Sequence, residues 1–166
     1  MKTAFAPIGV CWEITTRCNY NCRFCYAKKN LPELSFKKQK QLISILSNQG
    51  IKYISFTGGE PLLVNKIGEL TKFAKSKGMF VDLCTNISHL TKQKLLAVEK
   101  NVDIISLPLD GSAEKIIFKI RGTKNHLQSF NNAIKLIKKS KIKIKINTLV
   151  CNYNKNDLKN IFNIFY

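Results

Sequence analysis

Residues 10–25 read VCWEITTRCNYNCRFC, an apolar stretch followed at once by three cysteines within eight positions. Residues 10–15 are rich in β-branched and aromatic side chains and follow a glycine, which predicts a first β-strand. Cys18, Cys22 and Cys25 then fall in the loop after that strand. Thiols so close together suit metal ligation better than disulfide bonds between distant segments.

The rest of the chain alternates between strand and helix patterns. Four further strands are predicted at residues 51–57, 80–85, 103–109 and 142–146. Helices are predicted after Ser35, after Asn65, at 91–100, around Phe130 and from Leu158 through Phe165. Gly50 and Gly78 are expected to end the first two helices, and only residues 111–126 form a long stretch without a predicted element. Strands separated by helices run parallel, so the pattern predicts an α/β fold, either doubly wound or curved towards a barrel.

The number of clustered thiols is informative. A structural zinc ion or an electron-transfer cluster normally has four protein ligands, whereas three thiolates on a four-iron cluster leave one iron open to a substrate or cofactor. A zinc site would need a fourth ligand, and none of the other candidates lies in a second paired motif. Those candidates are Cys11, Cys84, His89 and His126. We assign the histidines no role, and we expect Cys11, Cys84 and Cys151 to be small buried side chains in the structure.

The segment at residues 12–26, with its strand and its Cys-x3-Cys-x2-Cys spacing, resembles the signature of the radical S-adenosylmethionine (SAM) superfamily. The resemblance implies that Cys18, Cys22 and Cys25 hold a 4Fe-4S cluster whose open iron is chelated by SAM. It also implies that the reduced cluster splits SAM to a 5′-deoxyadenosyl radical, which abstracts hydrogen from a substrate. Phe24 is implied to lie near the adenine, with packing inside the loop as the alternative.

Gly58, Gly59 and Glu60 close the second predicted strand and resemble the GGE motif of the same family, which binds the methionine amine of SAM. The missing Cβ atoms of the two glycines would let the backbone approach a ligand closely. The two motifs occur in the family's order, one strand-helix unit apart, which strengthens the joint interpretation.

Two later strand ends carry weaker parts of the resemblance. Thr85 and Asn86 stand where many relatives have a Thr-Asn-Gly turn, with Ile87 in place of the glycine. Ser106 and Asp110 lie in a segment that resembles the family's fourth strand, and both are candidate SAM contacts. The alternative for Asp110 is that it caps the next helix or orders its own turn.

Polar residues further along are candidates for binding substrate or SAM. Arg121 resembles the arginine of an Arg-Gly pair that would meet a carboxylate, and a solvated loop arginine is the alternative. Two-residue alternation places Lys145 and Asn147 on one face of the fifth strand and isoleucines on the other. Lys145 and Asn147 resemble interior residues of some relatives and would favour an anionic ligand. The alternative is an exposed edge strand whose lysines discourage pairing with other chains.

Composition limits the partners and the location. The net charge of +18 arises almost entirely from lysines scattered along the chain, which indicates a general bias and weighs little for nucleic acid as a partner. No apolar run approaches the roughly 18 residues of a membrane-spanning helix. The apolar N-terminus continues as a strand and not into a cleavage site, so we expect a cytoplasmic protein without a membrane partner.

The resemblance implies one radical SAM core domain over residues 1–166, a partial parallel (β/α) barrel of about five units that is incomplete at its C-terminus. A truncated or split protein is therefore expected, with a completing C-terminal segment or subunit, and a one-electron donor such as flavodoxin or ferredoxin. The wording of the motifs is nearest to enzymes that mature peptides and cofactors, so the substrate is expected to be a peptide, a cofactor precursor or a small anionic metabolite. No catalytic residue is assigned. The alternatives are a structural metal-binding module that contacts nucleic acid and an inactive cluster-binding relative.

Overall fold

The computed structural model of the chain describes residues 7–29 and 31–164. Its five strands are β1 Gly9–Thr15, β2 Tyr53–Gly58, β3 Phe80–Cys84, β4 Ile104–Pro108 and β5 Lys143–Asn147. They form one sheet in the order β1-β2-β3-β4-β5, and every neighbouring pair is parallel. The strand order never reverses, as it does in a doubly wound sheet. The fold is therefore the α/β type predicted, with the topology of a partial (β/α) barrel.

Each of the five strands is followed by at least one helix. The helices are α1 Phe36–Asn48, α2 Ile67–Ser76, α3 Lys92–Val98, α4 Glu114–Arg121, α5 His126–Ile137 and α6 Leu158–Asn163, with a short 3-10 helix at Pro61–Leu63. Ser35 caps α1 as predicted, because its side chain accepts a hydrogen bond from the backbone of Lys38. Gly50 and Gly78 follow α1 and α2 with φ of +86° and +75°, which confirms them as helix ends. Phe165, predicted to extend the last helix, lies outside the described residues.

The stretch at residues 111–126, to which the sequence assigned no element, contains α4. This helix has only two turns, and its N-cap residue Ala113 makes no side-chain capping bond. Ile117 and Ile120 are its buried residues, so the apolar pattern is too short to stand out. Gly122 ends it in the left-handed conformation at φ +68°. The missing capping signal explains why the sequence pattern did not reveal α4.

The two faces of the sheet differ in chemistry because side chains alternate along each strand. The face towards the helices is apolar and includes buried side chains such as Ile54, Phe56 and Leu83. The opposite face, called the interior face below, carries Ser55 and Asp82 as paired neighbours on β2 and β3. The sheet therefore has an apolar face packed against the helices and a polar interior face on the opposite side.

Candidate functional site

The cysteine loop begins where β1 ends and is held against the end of β2. The backbone N–H of Gly59 donates to the carbonyl of Thr15 at 2.7 Å, and that of Glu60 donates to the carbonyl of Arg17 at 2.8 Å. A Cβ atom on Gly58 would lie 2.2 Å from the Thr15 oxygen, and one on Gly59 would lie 2.1 Å from the Arg17 oxygen. The cysteine loop makes a close approach that itself requires the glycine pair, and the approach of a ligand to this backbone stays a prediction.

Glu60 joins the end of β2 to the end of β3. Its carboxylate is fully buried and accepts hydrogen bonds from the Leu62 backbone at 2.9 Å, the Thr85 hydroxyl at 2.8 Å and the Asn86 backbone at 2.6 Å. Burial raises the pKa of Glu60, against the pull of these three donors. Because Thr85 and Asn86 both donate to this carboxylate, the Glu60 side chain holds the loop after β3 in place.

Asn86 brings the loop after β3 to a cysteine sulfur. Its side-chain nitrogen lies 3.5 Å from the Sγ of Cys18 and 2.9 Å from the side-chain oxygen of Asn19. The backbone N–H of Tyr20 also donates to the Cys18 sulfur, at 3.4 Å. The Cys18 sulfur therefore accepts hydrogen bonds from two donors, as sulfur ligands of iron–sulfur clusters commonly do.

Ile87, which replaces the glycine of the Thr-Asn-Gly turn, keeps a conformation that suits glycine. Its φ is +79°, and its side chain is only 3% exposed. A β-branched residue at positive φ is strained, and the surrounding structure must hold it in place. Its backbone N–H donates to the Thr85 hydroxyl at 3.0 Å. The turn that presents Asn86 is retained despite the substitution.

Arg121 lies at the end of α4 and contacts the cysteine loop near Cys22 and Phe24. Its Nε is 2.6 Å from a carboxylate oxygen of Asp110, and both side chains are buried or nearly so, at 11% and 0% exposure. A terminal nitrogen of Arg121 lies 4.0 Å from the Cys22 Sγ, and its guanidinium lies over the Phe24 ring at 5.3 Å. Arg121 is thus anchored at the cysteine loop and is not a solvated loop arginine.

Asp110 has a different structural role from either alternative drawn from the sequence. The N-cap residue of α4 is Ala113, so Asp110 does not cap that helix. Its second carboxylate oxygen accepts a hydrogen bond from the Leu149 backbone at 2.8 Å. Asp110 therefore positions Arg121 and, at the same time, the segment that follows β5.

The three thiols lie on one loop, which is the donor set that a four-iron cluster with one open iron would use. Burial raises the pKa of Cys22 most, the charge of Arg121 opposes that effect, and the neighbouring thiols of Cys18 and Cys25 add to it. Within the described residues, no three cysteine, histidine or acidic side chains converge as ligands of one ion. Zinc draws its ligands to about 2.3 Å from one centre, whereas a four-iron cluster takes each thiolate on a different iron. Three thiols on one loop, two of them with N–H groups nearby, match the donor set of a 4Fe-4S cluster.

Two of the residues considered as a fourth zinc ligand, Cys84 and His126, form contacts elsewhere. The Cys84 Sγ lies 3.2 Å from the Ser55 Oγ on the interior face. His126 is fully buried, and its Nε2 donates to the carbonyl of Pro108 at 3.0 Å, since a carbonyl only accepts. Cys11 is exposed and both Cys84 and Cys151 are partly exposed, so the expectation that these three would be buried was wrong.

Asp82 is a residue of the interior face that the sequence analysis missed. It is fully buried, and it accepts hydrogen bonds from Ser106 Oγ at 2.8 Å and Lys145 Nζ at 2.9 Å. Lys145 therefore lies over the interior face, although β5 is also an edge of the sheet. Asn147 lies exposed two residues further along the same face. The available signal was an acidic residue inside the otherwise apolar strand at residues 80–85.

The comparisons with known proteins agree with these motifs. The model of the Radical SAM superfamily matches residues 12–165. An AdoMet-dependent heme synthase of Oleidesulfovibrio alaskensis is 29% identical over 160 residues, covering 93% of this chain and 41% of that protein. An S-adenosylmethionine-dependent nucleotide dehydratase of Flammeovirga pacifica is 32% identical over 163 residues, covering 91% of this chain and 55% of that protein. The chain thus spans about half the length of the curated relatives it matches.

A solved structure supports the fold independently. The crystal structure of SuiB from Streptococcus suis matches with a TM-score of 0.82 at 18% identity, covering 95% of this chain and 36% of SuiB. At that identity the likeness speaks for the fold alone. Among the described residues, no helix has the length and apolar character to cross a membrane.

Proposed function

The chain belongs to the radical SAM superfamily, and from that premise we propose that it cleaves SAM reductively at a 4Fe-4S cluster and abstracts hydrogen from a substrate. The observation that carries the proposal is the set of three cysteines on one loop, two of whose sulfurs have side-chain N–H groups within 4.0 Å. When bound, a cluster of this kind supplies an electron and an open iron at which SAM is split.

The residues of this chain hold and orient the reacting groups. Cys18, Cys22 and Cys25 would ligate three irons, and the backbone contacts of Gly59 and Glu60 fix the start of their loop. Asn86 contacts the loop at Cys18 and the Arg121 guanidinium contacts it at Cys22, and these two contacts would limit its movement. In cofactor enzymes of this kind the protein orients the cofactor and shields the reactive radical, and we propose the same role for these residues. No catalytic acid or base is part of the proposal.

The proposed SAM contacts divide into two groups by their present partners. The side chains of Glu60, Ser106 and Asp110 already form hydrogen bonds with other residues of the chain. They would therefore affect SAM binding indirectly, by holding the neighbouring backbone in position. Phe24 is 42% exposed and Asn147 is exposed, so their side chains are available to a ligand. Thr85 and Asn86 share features of both groups. They form hydrogen bonds with Glu60, and they also lie beside the cysteine loop, where a ligand could contact them.

The substrate is proposed only by class: a peptide, a cofactor precursor or a small anionic metabolite. The names of two relatives refer to heme and to nucleotides, and nucleotides carry phosphate groups. Lys145 on the interior face supports an anionic group in this chain as well. The electron is proposed to come from a one-electron donor such as flavodoxin or ferredoxin.

A completing segment or subunit is part of the proposal. β5 pairs with β4 alone, so one row of its backbone groups has no strand beside it in the described part of the chain. An apolar groove of about 650 Å³ runs beside β5, with Ile144 and Ile146 in its lining and α6 at its rim. A further strand-helix unit would cover both features.

The test is formation of 5′-deoxyadenosine from SAM by anaerobically reconstituted, reduced protein. We expect product from the unaltered chain and none from Cys22→Ala, which removes a cluster ligand. Electron paramagnetic resonance of the reduced protein verifies the cluster in the same samples. No product from a protein with an intact reduced cluster contradicts the proposal and identifies an inactive cluster-binding relative.

A further inference from the structure

A second cleft lies at the end of the sheet that is remote from the cysteine loop. It has a volume of about 770 Å³ and is found where β3, β4 and β5 begin, whereas the cysteines follow the last residue of β1. Because all five strands are parallel, the two places are separated by the length of a strand, roughly 15 Å. Small ligands occupy clefts of this size. We call it the strand-start cleft, and the argument concerns six of its residues: Phe80, Glu99, Lys100, Lys139, Lys141 and Lys143.

The strand-start cleft contains an aromatic ring that is held in place. The Phe80 side chain is 37% exposed, and its ring stacks on the ring of Tyr53 with centroids 5.7 Å apart and an angle of 13°. Tyr53 is fixed in turn, because its hydroxyl donates to the buried Asp82 carboxylate at 2.6 Å. Gly9 on β1 leaves room for it, since a Cβ atom there would lie 3.0 Å from the Tyr53 Cβ. The exposed part of the Phe80 ring is therefore a firmly supported apolar surface.

Four lysines border the same cleft. Lys100 follows α3, Lys139 and Lys141 lie between α5 and β5, and Lys143 begins β5. All four are exposed, and none of their ammonium groups pairs with a carboxylate within residues 7–29 and 31–164. Cations at the ends of α3 and α5 also favour the helix dipoles. Lys141 and Lys143 lie outside any helix, so the dipoles do not account for them.

The two carboxylates beside the cleft differ in what they contact. Asp103 is already neutralised, because one oxygen lies 2.5 Å from Lys75 Nζ and the other accepts a hydrogen bond from the Val81 backbone at 2.8 Å. Glu99 forms no ion pair in the described part of the chain. Four unpaired ammonium groups thus face one unpaired carboxylate, and the cleft attracts anions.

An apolar ring among unpaired cations suits a ligand with both an aromatic ring and an anionic group. Nucleotides have both, and proteins that bind single strands place bases on aromatic side chains and phosphates beside basic ones. The backbones of β3 and β5 lie about 10 Å apart because β4 lies between them, so long lysine side chains can reach a phosphate whose base lies on Phe80. We propose that the strand-start cleft binds a nucleotide, whose base stacks on Phe80 and whose phosphate contacts Lys141 and Lys143.

The proposal depends on this arrangement and not on the overall charge. The net charge of +18 draws any anion weakly and at many places, with no preference for a base. A free nucleotide and one unit of a single strand offer the cleft the same chemistry. Neither the proposed cluster nor SAM takes part, so the inference goes beyond the proposed function.

The test is calorimetric titration of the cluster-loaded chain at fixed ionic strength, with SAM present throughout so that its own site is occupied. The probes are thymidine monophosphate, ribose 5-phosphate, which lacks the base, and a short oligothymidylate. We expect thymidine monophosphate to bind at least about fivefold more tightly than ribose 5-phosphate, because only the former can stack. Much tighter binding of the oligothymidylate identifies a strand as the ligand, and similar binding identifies a free nucleotide. Equal affinities for the two monophosphates, or no binding of any probe, overturn the proposal.

Two aromatic variants test the role of the ring. Phe80→Leu keeps an apolar side chain and should weaken binding of thymidine monophosphate by about fivefold or more, while binding of ribose 5-phosphate stays within about twofold. Phe118→Leu is the matched control, because Phe118 is 41% exposed on α4, the helix that contacts the cysteine loop. It should change neither affinity by more than about twofold. Equal losses in both variants contradict stacking on Phe80.

Charge variants in both directions guard against misfolding. Lys143→Met should weaken binding about threefold, and Lys72→Met, at an exposed lysine of α2, should leave it nearly unchanged. Glu99→Gln removes the unpaired carboxylate and should strengthen binding by about twofold, a gain that a misfolded protein would not show. Glu69→Gln on α2 is its control. Weaker or unchanged binding in Glu99→Gln would place the phosphate elsewhere and overturn the proposal.

The same preparation separates this proposal from the proposed function. Formation of 5′-deoxyadenosine from SAM is measured in the unaltered chain before the titrations. Its absence from a protein with an intact reduced cluster contradicts the proposed function and leaves the strand-start cleft untouched. Missing selectivity for the base contradicts only the cleft.

Discussion

The side-chain nitrogen of Asn86 lies 3.5 Å from the Sγ of Cys18, so the loop after β3 reaches a proposed cluster ligand on the loop after β1. The backbone N–H of Asn86 also donates a hydrogen bond to the Glu60 carboxylate, at 2.6 Å. Glu60 thus connects the GGE motif to the cysteine loop through Asn86. Hydrogen bonds therefore connect two motifs that are separate in sequence, beside the proposed cluster.

The first prediction concerns the electronic effect of Asn86. An N–H group near a cluster sulfur stabilises the more negative, reduced state, so Asn86→Ala should make the reduction potential more negative. A loss of about 1 kcal/mol corresponds to roughly 40 mV for one electron. The measurement is a redox titration followed by electron paramagnetic resonance, with Asn101→Ala as a control at a distant position. An unchanged potential in Asn86→Ala would contradict the contact.

The second prediction concerns the glycine pair. Gly59→Ala places a Cβ atom 2.1 Å from the Arg17 carbonyl, and the backbone of the cysteine loop must move to admit it. We expect a loss of about 1–3 kcal/mol in stability and less iron bound per chain. Gly50→Ala is the matched control, because its φ of +86° strains an alanine while nothing lies within 4 Å of the new Cβ. The control should lose about 1–2 kcal/mol and keep its full iron content; equal iron loss in both variants would contradict the loop contact.

The third prediction concerns the titration of Lys145. Asp82 raises the pKa of this lysine against the effect of burial, so Asp82→Asn should lower it towards the ordinary value. The lysine's contribution to stability is fully present below about pH 10.4 and is lost as the pH rises through the raised pKa. On the acid side the pair is lost as the pH falls through the lowered pKa of Asp82. The measurement is the ε-carbon shift of labelled Lys145 against pH, with Lys145→Arg to assign the signal. A pKa that does not fall in Asp82→Asn would show that the ion pair does not form in solution.

The sequence predicted the parts of the molecule that depend on local patterns. Strand-helix alternation and the caps at Ser35 and Gly50 depend on neighbouring residues, so the order of elements followed from them. The polar set around Asp82 arises from four strands brought side by side, and no spacing along the chain contains it. Pairing between Arg121 and Asp110 likewise required α4, whose two turns gave too short a pattern to recognise. Contacts between distant segments therefore had to come from the structure.

The last prediction concerns Ile87, which is buried and also has a positive φ. Variants at this position can measure the backbone strain apart from the loss of side-chain packing. At most sites an alanine variant is more stable than a glycine variant, because glycine loses more backbone freedom on folding. At φ +79° the order should reverse, since alanine keeps a strain of about 1–2 kcal/mol that glycine lacks. Both variants lose a side chain that is 3% exposed, so both should be less stable than the unaltered chain, by about 2–4 kcal/mol for alanine.

The comparison of Ile87→Gly with Ile87→Ala by chemical denaturation isolates the strain, because the two variants lose nearly the same apolar contacts. Ile117, which is fully buried inside α4, supplies the matched pair: there the alanine variant should be the more stable by about 1 kcal/mol. Alanine more stable than glycine at both positions would mean that the turn at Ile87 relaxes out of the left-handed conformation. Glycine more stable at position 87 alone would mean that the chain holds a strained isoleucine there, at the turn that brings Asn86 to Cys18.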